Sequence, residues 1–319
     1  MKDRKALIIG IDYYKDINSL FGCINDAYSV KSVLDRHSDG TKNFDVDILV
    51  GSGPDNSITR KELKNKVEEL FKDKNDIALF YFAGHGYIES TGGYLITSEC
   101  VDGDDGFPTN ELMQIANDSP ANNKIIILDC CHSGVTGNSS PNEDKSILKE
   151  GITILTASSP NQFAKEENGS GVFTTLFVDA MNGSASNLVG DITPGSIYAH
   201  IDQSLGSWEQ RPIFKTNVRS FTTLRKVQPP IILSELRELT SLFKGKGEEF
   251  QLDPSFEPES ENPNKLNNEK FALLQKFNRI NLVIPVGAPH MWHAAMQSKS
   301  CKLTVLGEHY WNLIKNERI

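Results

Sequence analysis

The sequence predicts an α/β protein: a mostly parallel sheet with helices on both faces, followed by a small, mainly helical C-terminal module. Three observations lead there. Short apolar runs recur at residues 6–12, 45–50, 76–82, 124–130 and 152–157, as buried strands do. Stretches with apolar residues at helical spacing separate them, and strands alternating with helices imply parallel crossovers. Two of the runs stop abruptly at groups that can do chemistry, Ala83-Gly84-His85-Gly86 and Asp129-Cys130-Cys131-His132-Ser133-Gly134, as expected where ligands bind at the carboxyl ends of parallel strands.

Taken in order, Ala6-Leu7-Ile8-Ile9-Gly10-Ile11-Asp12 reads as the first buried strand. Residues 23–37 space Ala27, Val30, Val33 and Leu34 along one helix face, with Asn25 and Asp26 placed to cap its start. A second strand at 45–50 precedes a helix opened by Thr59 and Glu62 as a capping box and running to about Phe71. The strand at 76–82 is followed by a hairpin-like piece at 87–97, turned at Thr91-Gly92-Gly93, and by a helix near 110–117. After the strand at 124–130, residues 137–145 have the Ser, Asn and Pro content of an exposed loop. A strand at 152–157, a helix at 172–181 and a last strand at 211–214 complete a domain of residues 1–224.

Composition bounds the function. The chain has 319 residues, 38% hydrophobic and 24% charged, which suits a soluble globular protein with a substantial core. No apolar run approaches the ~20 residues of a membrane helix, and the N-terminus lacks the flanks of a signal peptide, so a cytoplasmic protein is expected. Five cysteines, an odd number without metal-site spacing, read as reduced thiols. Residues 1–224 carry a net charge of −11 and residues 225–319 one of +2; the acidic first part argues against nucleic acid as its main ligand and is compatible with a basic substrate or a cation, although solubility alone explains it more simply.

At the strand tips, alternation in an extended chain sends Asp129 and Cys131 to one side and Cys130 to the other with Leu128 and Ile126. Cys131 is then the candidate nucleophile and Cys130 a core residue. A thiol is a few per cent ionised at neutral pH and needs an imidazole or a positive dipole nearby. His85, 46 residues earlier at the other tip, can supply the imidazole and then protonate an amine leaving group.

Tyr81-Phe82-Ala83-Gly84-His85-Gly86 with Ile127-Leu128-Asp129-Cys130-Cys131-His132-Ser133-Gly134 resembles the paired signature of caspase-like cysteine peptidases, on their metacaspase side, among the bacterial metacaspase-like proteins. Phe21-Gly22-Cys23-Ile24-Asn25-Asp26-Ala27 is similar to a third motif of that family, and the resemblance covers about residues 4–224. It implies a peptidase acting on protein or peptide substrates, with Cys131 as nucleophile, His85 as acid and base, and the backbone N–H groups of Gly86 and Cys131 as an oxyanion hole. By the same resemblance Asp26 and Asp129 line the first specificity pocket. Two carboxylates in a partly desolvated slot favour Lys or Arg over Asp, so cleavage after a basic residue is expected.

Lys145 and Lys149 follow the nucleophile in the loop and are candidate self-cleavage sites. The chemistry requires no cofactor, although Asp102, Asp104 and Asp105 are candidate oxygen ligands for Ca²⁺ without the spacing of an EF-hand. Residues 225–264 read as a linker with a short helix at 233–243, and residues 265–319 as a C-terminal module. There, Ser300 to Gly307 followed by His309-Tyr310-Trp311 resembles the strand-then-helix piece of winged-helix domains, yet a charge of +2 is a poor footprint for DNA. A surface for a regulatory protein partner fits better, and a plain stabilising extension better still. Two rival readings stand beside the peptidase: a gated or inactive interaction protein on the same fold, and an effector controlled by a C-terminal sensing module.

Overall fold

A computed structural model describes residues 3–89, 92–130, 147–157, 166–167, 169–206 and 211–319. They form two compact units, Met1–Gln228 and Pro229–Ile319. The first unit opens with β1 (Arg4–Ile11), α1 (Cys23–Asp35), β2 (Asp45–Gly51), α2 (Arg60–Lys72) and β3 (Ile77–Ala83). It continues through β4 (Gly86–Glu89), β5 (Gly92–Leu95), β6 (Phe107–Pro108), α3 (Thr109–Asp118), β7 (Asn123–Asp129) and β8 (Ile152–Thr156). The remaining elements are β9 (Glu166–Glu167), β10 (Ser170–Gly171), α4 (Val172–Asp179), β11 (Asp191–Ile192), α5 (Pro194–Ser204), β12 (Ile213–Asn217) and β13 (Arg225–Lys226).

The central sheet has the order β12-β8-β7-β3-β1-β2, parallel throughout except for the antiparallel edge pair β12·β8. Alternation along its strands divides the core. Ala6, Ile8, Leu79, Tyr81, Ile125 and Ile127 pack against residues of α1, α4 and α5. Leu7, Ile9, Phe80, Phe82, Ile126, Leu128 and Cys130 pack against α2 and α3 on the other face. This is the two-faced α/β architecture the strand–helix alternation predicts.

Several local expectations are corrected. Asn25 and Asp26 do not cap α1; that role falls to Asp12 at the end of β1, whose Oδ1 accepts from Cys23 N at 2.9 Å. Gly92 and Gly93 are not a turn but lie in β5, opposite Glu89 and Ile88. The helix expected at 172–181 ends at Asp179 and passes into a five-residue π turn. Helix α5 was not anticipated, although Thr193 and Ser196 form a capping box and Pro194 occupies its first turn.

The second unit comprises α6 (Leu233–Arg237), α7 (Leu239–Leu242), β14 (Glu249–Gln251), α8 (Lys265–Arg279), β15 (Val283–Val286), α9 (Met291–Met296), β16 (Ser300–Leu303) and α10 (Val305–Lys315). Residues 225–264 are therefore not a linker. Arg225 belongs to the first unit, where its guanidinium donates to the carbonyls of Arg36 and Met181. Leu236, Leu239, Phe243, Leu252 and Phe256 are buried, and β14 adds a third strand to the antiparallel sheet β14-β16-β15. The helix expected at 233–243 is divided at Glu238 into α6 and α7. Strand β16 does lead directly into α10, capped by Thr304 Oγ1 on Gly307 N.

Candidate active site

Strands β3 and β7 are adjacent and parallel, with Ala83 opposite Asp129 at their carboxyl tips. The ladder thus ends two residues before His85. Three contacts from the β1–α1 connection then fix that residue. The His85 backbone N–H donates to Tyr14 Oη at 2.8 Å, and its imidazole lies against the Tyr14 ring with centroids 4.7 Å apart. Its Nε2 lies 2.8 Å from the Asn18 carbonyl. A carbonyl only accepts, so Nε2 carries the proton, and in the neutral ring Nδ1 is the basic nitrogen. Tyr14 is buried, which raises its phenol pKa well above the usual value and keeps it a neutral hydroxyl.

Gly84 is required by this arrangement. A Cβ there would stand 2.7 Å from Tyr14 Oη and 3.0 Å from the Phe82 ring. Gly84→Ala is expected to destabilise the protein by about 1–3 kcal/mol through overpacking. Urea titration should show part of that loss recovered in a Gly84→Ala/Tyr14→Phe double variant; an unchanged midpoint for Gly84→Ala would remove the explanation. Gly86, the candidate oxyanion donor, begins β4 opposite Leu95, which carries the chain away from the tip.

Cys131 and Lys145 lie outside the described residues. Cys130 is buried on the α2/α3 face with Ile126 and Leu128, the core position that alternation assigns it.

The two candidate pocket acids, Asp26 and Asp129, are brought together. Asp26, on the buried face of α1, accepts from Gly171 N at 2.9 Å. Asp129, at the tip of β7, accepts from Thr174 Oγ1 at 2.6 Å, and the same Thr174 oxygen lies 2.6 Å from Tyr81 Oη. The carboxylates converge on the strand edge at Gly171, where a Cβ would meet Asp129 Oδ2 at 2.5 Å and Asp26 Oδ2 at 3.1 Å. Only a residue without a side chain admits both. Asp26 and Asp129 are 3% and 7% exposed, so a cation reaching them meets two desolvated acids rather than a solvated surface.

The remaining described candidates have their own local partners. Asp102 and Asp105 form a reciprocal capping box about the short helix Gly103–Asp105. No group of three or more His, Cys, Asp or Glu side chains suited to a metal ion occurs among the described residues. Lys149 is anchored, its backbone N–H donating to Asn117 Oδ1 at 2.9 Å and its ammonium pairing with Asp118 at 2.7 Å.

Sequence reasoning missed Asp12, Tyr14, Asn18, Tyr81, Gly171 and Thr174. Tyr14 had a usable signal, a polar aromatic just beyond a buried strand tip. Gly171 and Thr174 had none, because their roles depend on how α4 lies against α1 and β7.

Residues 3–238 match the family model described as the Caspase domain. Among curated proteins, Metacaspase-1 of Sclerotinia sclerotiorum is 30% identical over 214 residues, covering 59% of this chain and 45% of that protein. Metacaspase-9 of Arabidopsis thaliana is 27% identical over 146 residues, covering 42% and 44% respectively. The chain thus spans less than half the length of either. Among solved structures, Caspase-1 from Spodoptera frugiperda superposes with a TM-score of 0.51 at 15% identity over 71% of this chain and 92% of that one, a likeness of fold. No helix among the described residues is long and apolar enough to cross a membrane.

Proposed function

Because the chain belongs to the caspase-domain family of cysteine peptidases, we propose that it is an endopeptidase that cleaves after Arg or Lys through Cys131 and His85. In this mechanism the Cys131 sulfur attacks the scissile carbonyl while His85 Nδ1 takes the thiol proton. The backbone N–H groups of Gly86 and Cys131 stabilise the oxyanion, a contribution of about 2.7–4 kcal/mol per donor in acyl transfer. His85 then delivers the proton to the leaving amine, and water hydrolyses the thioester. The Asn18 carbonyl holds Nε2–H throughout and supports the positive charge that forms on the ring.

The observation that carries the substrate reading is the convergence of Asp26 and Asp129 at Gly171. A lysine ammonium or an arginine guanidinium matches two buried carboxylates in charge and hydrogen-bond polarity, whereas an aspartate would add a third negative charge. Fluorogenic peptides ending in Arg, Lys or Asp test the reading. Rapid release from the Arg and Lys peptides supports it, and a preference for the Asp peptide overturns it.

Self-cleavage at Lys149 would be intermolecular. Lys149 precedes β8 at the amino end of the parallel sheet, while His85 follows β3 at the carboxyl end. Seven strand residues at ~3.3 Å each separate the two ends by roughly 20 Å. Appearance of a new N-terminus at Glu150 is expected to accelerate with protein concentration; a first-order rate independent of concentration, followed by mass spectrometry, would contradict this.

A further inference from the structure

Strand β3 runs Phe80-Tyr81-Phe82, all three fully buried. Phe at 81 would fill almost the same volume, so the hydroxyl is what distinguishes this position. It lies 2.6 Å from Thr174 Oγ1, and Thr174, in the first turn of α4, donates to Asp129 Oδ2 at 2.6 Å. Threonine has one proton to give, and giving it to Asp129 leaves only lone pairs toward Tyr81. Tyr81 O–H must therefore donate to Thr174. The opposite polarity would need a protonated Asp129 and a Tyr81 hydroxyl donating elsewhere, and no other hydrogen-bond partner of Tyr81 Oη occurs among the described residues. A buried hydroxyl without an acceptor is costly, so the chain is complete in one direction only.

We propose that Tyr81 and Thr174 form a buried hydroxyl relay that holds Asp129 as an aligned carboxylate, making both of them positioning residues for the basic side chain of the substrate. The proposal rests on the reading of Asp129 as a pocket acid. Two donors in series favour the charged form of the carboxyl and fix its orientation. Among the described residues, the titratable groups sharing the site are Asp26 and Cys23 on α1 and Tyr81 itself, with His85 beyond the tip of β3. Burial first, then the charges of Asp129 and Asp26, holds the Tyr81 phenol well above its ordinary pKa, so it remains a donor at every working pH.

The test compares kcat/KM of the full chain for matched peptides ending in Arg or in citrulline, its neutral isostere, from acidic to neutral pH. Tyr81→Phe is expected to lower the Arg-to-citrulline ratio by about 3- to 10-fold, as loss of one link in a charge-assisted chain would. Because donors lower the proton affinity of a carboxylate, their loss raises it, and the acid limb of Arg cleavage should move to higher pH. Thr174→Val should lower the ratio further, and Thr174→Ser should restore it. Citrulline cleavage in the same preparations reports an intact fold and dyad. A Tyr81→Phe or Thr174→Val protein that cleaves citrulline normally yet keeps the full ratio and the original acid limb overturns the relay alone. If Tyr81→Phe does not fold, equal ratios for Thr174→Val and Thr174→Ser overturn it. A parent protein that does not distinguish Arg from citrulline overturns the basic-residue reading and the relay with it.

Discussion

Cys131→Ala is expected to abolish peptide hydrolysis, lowering kcat by roughly 10⁵-fold or more, the scale seen when a covalent nucleophile is removed. His85→Ala should cost a similar factor, because a thiol without its base is neither ionised nor able to pass a proton to the leaving amine. The two losses should not multiply: once either partner is missing the covalent route is closed, so the double variant should match the worse single one. Cys130→Ala is the contrasting case. Cys130 is 1% exposed and packs with Ile126 and Leu128 on the α2/α3 face. Its loss should leave most of the activity and destabilise the fold by about 1 kcal/mol, the cost of a small cavity. Single-turnover assays on the four variants check this. Robust activity in Cys131→Ala, with loss in Cys130→Ala, would move the nucleophile by one residue and overturn the site.

The second large effect belongs to the proposed pocket acids. Asp129→Asn and Asp26→Asn keep an oxygen for the hydrogen bonds from Thr174 and from Gly171 N, so the local fold should survive. What is lost is charge. Truncating one partner of a desolvated charge pair costs about 2–5 kcal/mol, so kcat/KM for Arg-ended peptides should fall by at least about 30-fold in each variant. Citrulline-ended peptides should change little. Gly171→Ala should mimic both, since its Cβ would stand 2.5 Å from Asp129 Oδ2 and 3.1 Å from Asp26 Oδ2. Equal losses on the Arg and citrulline peptides would mean that the acids shape the site without reading the substrate's charge.

Much of the fold is legible in the sequence. The central strands are continuous apolar runs whose local signal is strong, and their order with the intervening helices leaves few parallel arrangements. The abrupt change from Phe82 to Gly84-His85-Gly86, and from Leu128 to Asp129-Cys130-Cys131, marks the carboxyl tips because charged and reactive groups cannot continue inside a buried sheet. Capping was partly legible: Thr59 caps α2 by accepting from Glu62 N, as its spacing implies, whereas α1 is capped by Asp12 from another element. The stretch 225–264 misled because Pro and acidic residues resemble a linker, while Phe243, Leu252 and Phe256 supply enough apolar surface to fold it.

The sequence by itself determined the central strands and their tips just before His85 and at Asp129, through continuous apolar runs that stop abruptly, and the buried side taken by Cys130, through the period of two along an extended chain. Only the tertiary structure decided what surrounds those tips. Asp26 meets Gly171 across 145 residues, Thr174 meets Asp129 across 45, and Asn18 meets His85 across 67. Such contacts depend on the rotation and height of α1 and α4 against the sheet, which the packing of the whole core sets and no local pattern encodes.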